Sequence, residues 1–335
     1  MKKILMIGTG GTIASEMTEA GLAPGMAGAD FLRYVPAVRR LCQVDPIQVC
    51  NIDSTDMTPN HWLAIARAVE EHYDDYDGFV ICHGTDTMAY TAAALSYLIQ
   101  GSPKPIVLTG SQKPIHMEIT DSKTNLLDSF TVACDGRLPG VTVVFGGRII
   151  PGTRARKTYS KSFGAFSSIN HPILGVVQEG KVTPYILPEG APRPAFFHRL
   201  DQAVSLVKLV PGQSPDYLAF ALEHSHGVLV ESFGVGGVPA GRAGGFYPLI
   251  QQAAARGKTV VFTTQVQNEG SDLGVYQVGH GLKTDLGVLE AHDMTLEAAY
   301  AKLMWALAHS QDREELAWRF YTPVARDILL GPDMA

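Results

Sequence analysis

Cysteine is scarce in this 335-residue chain: Cys42, Cys50, Cys82 and Cys134 are the only four, and they show no Cys-x-x-Cys pair and no metal-ligand spacing. That excludes a disulfide-built scaffold and a zinc module, so reduced thiols in a cytosolic protein are the expectation. Charge is also sparse, at 18% of residues, with a net charge of −6 and an isoelectric point near 6.0. No basic run is longer than Arg154-Ala155-Arg156-Lys157, which argues against a nucleic-acid surface. No apolar run is long enough to span a bilayer, so no membrane association is expected. The apolar start after Lys2-Lys3 ends at Gly8, short of a signal-peptide core. Gly-x-Ser-x-Gly and His-Glu-x-x-His are missing, and no Gly-Lys-Ser/Thr follows the first glycine cluster, which counts against a serine α/β-hydrolase, a zincin and a P-loop there.

What is plentiful is apolar material, 46% of the residues, in a chain too long for one ordinary core. Short apolar runs recur, each ending in small or hydroxyl residues. Lys3–Ile7 precedes Gly8-Thr9-Gly10-Gly11-Thr12, Gly78–Cys82 precedes His83-Gly84-Thr85-Asp86, and Pro105–Leu108 precedes Thr109-Gly110-Ser111. Val141–Phe145 before Gly146-Gly147, Gly227–Val230 before Glu231-Ser232, and Thr259–Phe262 before Thr263-Thr264-Gln265 repeat the form. Such runs read as buried parallel strands. In an open parallel sheet the ligand crevice lies beyond the strands' carboxyl ends, so position alone marks every one of these clusters as a site candidate.

Between the runs lie helical stretches. Thr58 is placed to cap Asn60–Tyr73, with Trp62, Ile65, Ala66 and Val69 on one face, and Asp86 to cap Met88–Ile99. Alternating strand and helix predicts a doubly wound α/β fold. The stretch Thr183 to Leu200 carries Pro184, Pro188, Pro192 and Pro194 and breaks the alternation. It predicts an α/β domain over 1–188, a linker over 189–204 and a smaller α/β domain over 205–335, with helices at Asp216–Glu223 and Leu296–His309 in the latter.

Three clusters carry chemistry. Gly8-x-Gly10-x-x-Ile13 fits the dinucleotide fingerprint poorly, because its third glycine is missing. Two readings remain: the glycines pack a tight first turn, or they expose Thr12 beside backbone N–H groups. In His83-Gly84-Thr85-Asp86-Thr87-Met88, Asp86 is a helix cap or an acid that orients an amine. Lys157, in a loop after another strand, is either a solvated cation among Arg154, Arg156 and Lys161 or that amine, able to take a hydroxyl proton. In Asn51-Ile52-Asp53-Ser54-Thr55-Asp56-Met57, Asp53 suits a substrate ammonium and Ser54, Thr55 and nearby N–H groups suit a carboxylate, unless the segment is an ordinary polar loop. His224-Ser225-His226 lacks further ligands, and no metal is expected.

Taken together, Thr9-Gly10-Gly11-Thr12-Ile13-Ala14 and His83-Gly84-Thr85-Asp86-Thr87-Met88-Ala89-Tyr90 resemble the paired signature of the asparaginase/glutaminase family. The likeness runs on through Asp53–Met57, Leu108–Gln112, Asn125-Leu126, Gly152–Lys157, Phe166–Asn170, Gly234-Val235-Gly236 and Asp293-Met294-Thr295, and fits the type I, cytoplasmic branch. The resemblance implies a flavodoxin-like parallel-sheet N-terminal domain, a smaller C-terminal α/β domain, no cofactor, and a homodimer or homotetramer. It also implies hydrolysis of L-asparagine to L-aspartate and ammonia. Thr12 is then the nucleophile that forms a β-aspartyl ester, and Thr85 a second hydroxyl held with Asp86 and Lys157 in a proton relay. Asp53, Ser54, Thr55, Thr85 and Asp86 hold the substrate.

The chain departs from common family patterns at several points. Gly21-Leu22-Ala23-Pro24 stands where many members carry a lid tyrosine, and Gly237 where an asparagine is common. Glu231 and Val266 replace an arginine and a cysteine of allosteric members, so no second asparagine site is expected. A glutaminase or mixed activity, and a non-catalytic amino-acid sensor, are the alternatives.

Overall fold

The computed structural model describes residues 1–11, 13, 15–18, 21–24, 32–187, 193–239, 245–275 and 277–329. The chain divides into two units, Met1–His198 and Arg199–Ala335.

In the first unit the apolar runs become strands Lys2–Gly10 (β1), Cys42–Ile52 (β2), Gly78–Cys82 (β3), Pro105–Thr109 (β4) and Gly140–Phe145 (β5). Every residue of β3 and β4 is buried, and successive side chains point to opposite faces, so both faces of the sheet are covered. The five strands are parallel in the order β2-β1-β3-β4-β5. That is the flavodoxin-type order, whose crevice opens where the sequence order reverses, between β1 and β3. An antiparallel extension completes an eight-stranded sheet: Arg148–Pro151 (β6) pairs with β5, and Gly175–Gln178 and Lys181–Pro184 follow.

Helix Pro59–Glu71 (α1) starts as its sequence suggests: Pro59 sits in the first turn and the Thr58 N–H donates to His61 Nδ1 at 3.0 Å. Helix Met88–Leu98 (α2) does not start as expected. Its N-cap is Thr87, and the Asp86 carboxylate is turned to another partner. Helix Ser122–Asp135 (α3) ends at Gly136, whose φ of 76° supplies the left-handed stop.

One expected site loop is a turn. Gly146-Gly147 joins β5 to β6 as a two-residue hairpin with both residues at positive φ, so it terminates a strand pair, and the Gly146 N–H donates to Asn125 Oδ1 at 2.9 Å. The proline-rich segment is also more structured than a linker implies. Thr183 and Pro184 lie in the sheet, and Ala195–Phe196 pairs with Gln100 and Ile99, while residues 188–192 lie outside the described ones.

The second unit has four parallel strands in sequence order, Val204–Lys208 (β7), Gly227–Ser232 (β8), Thr259–Thr264 (β9) and Leu289–Glu290 (β10). Helix Asp216–His224 (α4) follows Ser214-Pro215, and helix Leu296–His309 (α5) is capped by Thr295, which accepts from the Ala298 N–H at 3.0 Å. Val207, Leu218, Val228 and Phe262 are among its core residues. No described helix is long and apolar enough to cross a membrane.

Candidate active site

The crevice at the β1/β3 reversal is built by backbone proximity. The Gly11 N–H donates to Ile52 O at 3.0 Å, tying the end of β1 to the end of β2. A Cβ on Gly11 would lie 2.4 Å from Gly84 Cα, and one on Gly84 would lie 2.6 Å from Ser54 Cβ. Three segments far apart in sequence therefore meet with no room for side chains between them. The Thr87 hydroxyl fastens the third segment to the second by donating to Ser54 O at 2.7 Å.

Lys157 enters from a fourth segment. It ends the short strand Ala155–Lys157, which pairs antiparallel with Phe166–Ser168 so that Lys157 faces Phe166. Phe166 is buried against Phe145, ring centroids 5.0 Å apart, which anchors this hairpin to the sheet. From that position Lys157 Nζ donates to Thr85 Oγ1 at 2.8 Å and to Asp86 Oδ1 at 2.6 Å. The lysine side chain is 17% exposed and Asp86 59% exposed, while Thr85 is 4% exposed. The amine is thus held by an acid at the surface and presented to a buried hydroxyl. A solvated cation is the wrong description of Lys157, and of Arg154, which is fully buried.

The Thr85 hydroxyl donates in turn to Gln112 Oε1 at 3.2 Å. Gln112 follows the end of β4, and its side-chain amide also donates to Ser162 O at 3.2 Å. Asp121 fixes this loop by accepting from the N–H groups of Gln112 and Lys113 and from Asn125 Nδ2. Sequence reasoning marks Thr109-Gly110-Ser111-Gln112 without giving Gln112 or Asp121 a part. A glutamine directly after a strand that ends at the crevice was the available signal for Gln112; nothing local marked Asp121.

A second network lies beneath. Trp62 Nε1 can only donate, and gives its hydrogen to Thr91 Oγ1 at 3.0 Å; Thr91 Oγ1 is also 2.9 Å from His83 Nε2, and His83 Nδ1 is 2.7 Å from Gly84 O. The assignment that satisfies all three has Thr91 donating to Nε2 and the neutral imidazole donating from Nδ1 to Gly84 O. Full burial agrees with that neutrality, pushing the His83 pKa down from 6.5 to about 4.

The third cluster is a short 3₁₀ turn, Ser54–Asp56. Asp53 Oδ1 accepts both the Thr55 N–H at 2.8 Å and the Thr55 hydroxyl at 2.9 Å, and Ser54 is buried. Thr12 lies outside the described residues, between Gly11, packed on Gly84, and Ile13, which is fully buried.

Other expected candidates have local explanations. Ser232 Oγ donates to Thr263 O at 2.8 Å and Gln265 Nε2 to Leu209 O at 2.6 Å, so these strand-end residues of the second unit tie its loops together. Glu231 is buried and pairs with Lys208 at 3.3 Å. His224 bonds Phe220 O and His226 bonds Asp201, so both serve local contacts. Among the described residues no group of three or more His, Cys, Asp or Glu could hold a metal ion.

Comparison with known proteins follows the same division. The profile described as "Asparaginase, N-terminal" matches residues 3–187, and "Glutaminase/Asparaginase C-terminal domain" matches residues 203–320. The chain is 41% identical to the L-asparaginase of Thermococcus kodakarensis over 94% of its own length and 95% of that protein's. It is 36% identical to L-asparaginase 1 of Escherichia coli K12, over 94% of each. Identity to one component of the glutamyl-tRNA(Gln) amidotransferase of Pyrococcus horikoshii is 34%, over 97% of this chain and 76% of that one. A solved structure of the thermostable L-asparaginase from T. kodakarensis superposes with a TM-score of 0.92 at 40% identity, covering 98% of this chain and all of that one. With both domains matched and this degree of identity along the chain, the protein belongs to the asparaginase/glutaminase family.

Proposed function

We propose that this protein is an L-asparagine amidohydrolase that releases L-aspartate and ammonia by double displacement through a threonine-bound β-aspartyl ester. The observation that carries the reading is the Lys157 amine, 2.8 Å from the Thr85 hydroxyl and 2.6 Å from the Asp86 carboxylate. A hydroxyl is a poor nucleophile until a base removes its proton, and a lysine oriented by an acid provides that base once its own proton has left. A protein that only senses an amino acid has no need of this group. The identity of 41% to an L-asparaginase, against 34% to the amidotransferase component, favours the free amino acid as substrate.

In this proposal Thr12 attacks the side-chain amide carbon, and Thr85, Asp86 and Lys157 relay its proton to the departing ammonia. Asp53, Ser54, Thr55, Thr85 and Asp86 hold the substrate. Asp53 spends only Oδ1 on Thr55, so Oδ2 takes part in neither of those bonds and suits an ammonium. Water then cleaves the ester with the same relay working in reverse. The reading includes no cofactor and no metal, a cytoplasmic location, and a homodimer or homotetramer. It also includes hyperbolic saturation, because Glu231, buried and paired with Lys208, stands where allosteric members carry an arginine and offers a second substrate carboxylate no cation.

The test is ammonia release from asparagine and from glutamine across substrate concentration, for the parent chain and Thr12→Ala. The proposal expects asparagine turnover that vanishes in Thr12→Ala while circular dichroism is unchanged. Parent-like turnover in that variant removes Thr12 from the chemistry. Tight asparagine binding without ammonia in the parent chain makes it a sensor, and glutamine as the better substrate makes it a glutaminase.

A further inference from the structure

The four cysteines are not equivalent. Cys82 is fully buried inside β3, and burial pushes its thiol pKa up to about 12. The Cys50 thiol donates to Thr9 O at 3.6 Å. Cys42 and Cys134 differ from both because each thiol is the largest influence on the pKa of the other, while the Cys42 thiol also lies 4.0 Å from Val38 O.

Backbone geometry relates both to Lys2. Cys42 opens β2 at the sheet edge, in register with Lys2 of β1. Lys2 reaches over the end of α3, where its Nζ lies 2.7 Å from the position a Cβ would take on Gly136. Cys134 is in the last turn of that helix, two residues before Gly136. The same lysine therefore neighbours one cysteine through its backbone and the other through its side chain. Both cysteines belong to one apolar cluster, Cys42 buried and Cys134 at its half-exposed margin.

We propose that Cys42 and Cys134 are a reversible dithiol/disulfide couple, oxidised by hydroperoxide, that staples the edge strand β2 to helix α3. Cys134 is the attacking thiol, since it is the one solvent reaches. The Cys42 hydrogen bond is the largest influence lowering its pKa; burial opposes this, Lys2 assists it, and Asp77 opposes it. Its thiolate attacks the peroxide, the O–O bond breaks, hydroxide leaves, and Cys134 becomes a sulfenic acid. The Cys42 thiol then gives up its proton, forms the S–S bond to Cys134 and expels the sulfenic oxygen as water. Two thiols are oxidised by two electrons and one peroxide is reduced to water and hydroxide; the Cys42 proton goes into the water, and the hydroxide takes up the proton that Cys134 released on ionising. The staple closes a long chain loop that contains Asp53, Thr85 and Gln112, so it restricts the unfolded chain and raises the unfolding temperature.

The experiment treats the native full-length chain with hydrogen peroxide and follows intact mass, free thiols and melting temperature. The expected product is monomeric in covalent terms, lighter by two hydrogens, with a Cys42–Cys134 linked peptide after digestion, two of the four thiols lost, and a higher melting temperature that dithiothreitol reverses. In Cys42→Ala the sulfenic acid on Cys134 should persist and react with dimedone. The proposal is overturned if native protein keeps all its thiols, if Cys134 proceeds to sulfinic acid without a link, or if the only link formed joins two chains. A Cys42–Cys134 bond that appears only after denaturation also overturns it.

Discussion

Gly11 and Gly84 are stacked so that a methyl group on Gly11 would strike the Gly84 backbone at 2.4 Å. This contact fixes how far the end of β1 sits from the end of β3. Gly11 also has φ of 81°, so Gly11→Ala incurs both backbone strain and collision. Gly84→Ala forces Ser54 aside and disturbs the 3₁₀ turn that carries Asp53. Each substitution should cost about 1–3 kcal/mol in urea unfolding, the range for overpacking, and depress ammonia release more than stability. A Gly84→Ala variant with parent-like turnover would show that the close approach only packs the loops.

The Lys157–Asp86 pair leads to the opposite balance. Asp86 is largely exposed, so the pair contributes under about 1 kcal/mol to stability. Loss of a positioned acid–base group costs about 100- to 10,000-fold in rate. Lys157→Met and Asp86→Asn should therefore melt near the parent temperature and lose most of kcat. Lys157→Arg should fail equally, since a guanidinium stays charged and cannot accept a proton. Retention of more than about a tenth of parental kcat in Lys157→Met would place the relay elsewhere.

His83 ties stability to pH. Its pKa is depressed from 6.5 in the unfolded chain to about 4 in the folded one, by burial. Between those values the unfolded state binds a proton that the folded state refuses. The stabilising contribution is complete above pH 6.5, shrinks as pH falls, and is gone below about 4, a total of about 3 kcal/mol at 1.36 kcal/mol per pH unit. Asp128 works against it. Burial raises its carboxyl from 3.8 to about 6, so its contribution is complete below 3.8 and is lost as pH rises through 6. The parent curve therefore mixes the two. Melting temperatures from pH 7 to 4 for the parent and for His83→Asn, whose amide can still donate to Gly84 O, isolate the histidine. The variant should lose less stability on acidification, and parallel curves would show that His83 does not titrate in this window.

Much of this architecture is legible from short-range chemistry. Apolar runs such as Ile4–Ile7 and Phe79–Cys82 have to be buried strands, and each ends in residues that cannot continue them. The pairing of Lys157 with Thr85 and Asp86 was inferable as chemistry, because a hydroxyl cluster needs a base. What sequence does not encode locally is how one side chain chooses between two valid uses. Asp86 is a good N-cap by type, but Thr87 takes that place and Asp86 takes the lysine. Gly146-Gly147 resembles the other strand-end clusters, and only the antiparallel return of β6 makes it a turn. Asp121 reaches Gln112 across nine positions through a loop whose path no periodicity describes.

The fully buried pair in the second unit is different again. Lys302 Nζ lies 2.6 Å from Asp327 Oδ2, neither side chain is exposed, and the amine also donates to Thr322 O at 2.8 Å. Asp327 Oδ1 further accepts the Val324 N–H at 2.8 Å, so this one carboxylate holds the segment after helix Arg313–Tyr321 onto α5. Removing one partner strands the other as an uncompensated buried charge. Asp327→Ala should therefore cost about 3–5 kcal/mol, whereas replacing both by apolar residues of similar volume, Lys302→Met with Asp327→Leu, should cost far less than the sum of the single changes. Urea unfolding of the two single variants and the double variant measures the coupling. Additive losses would mean that the ammonium and carboxylate act independently, each through its own backbone bond, Lys302 to Thr322 O and Asp327 to the Val324 N–H.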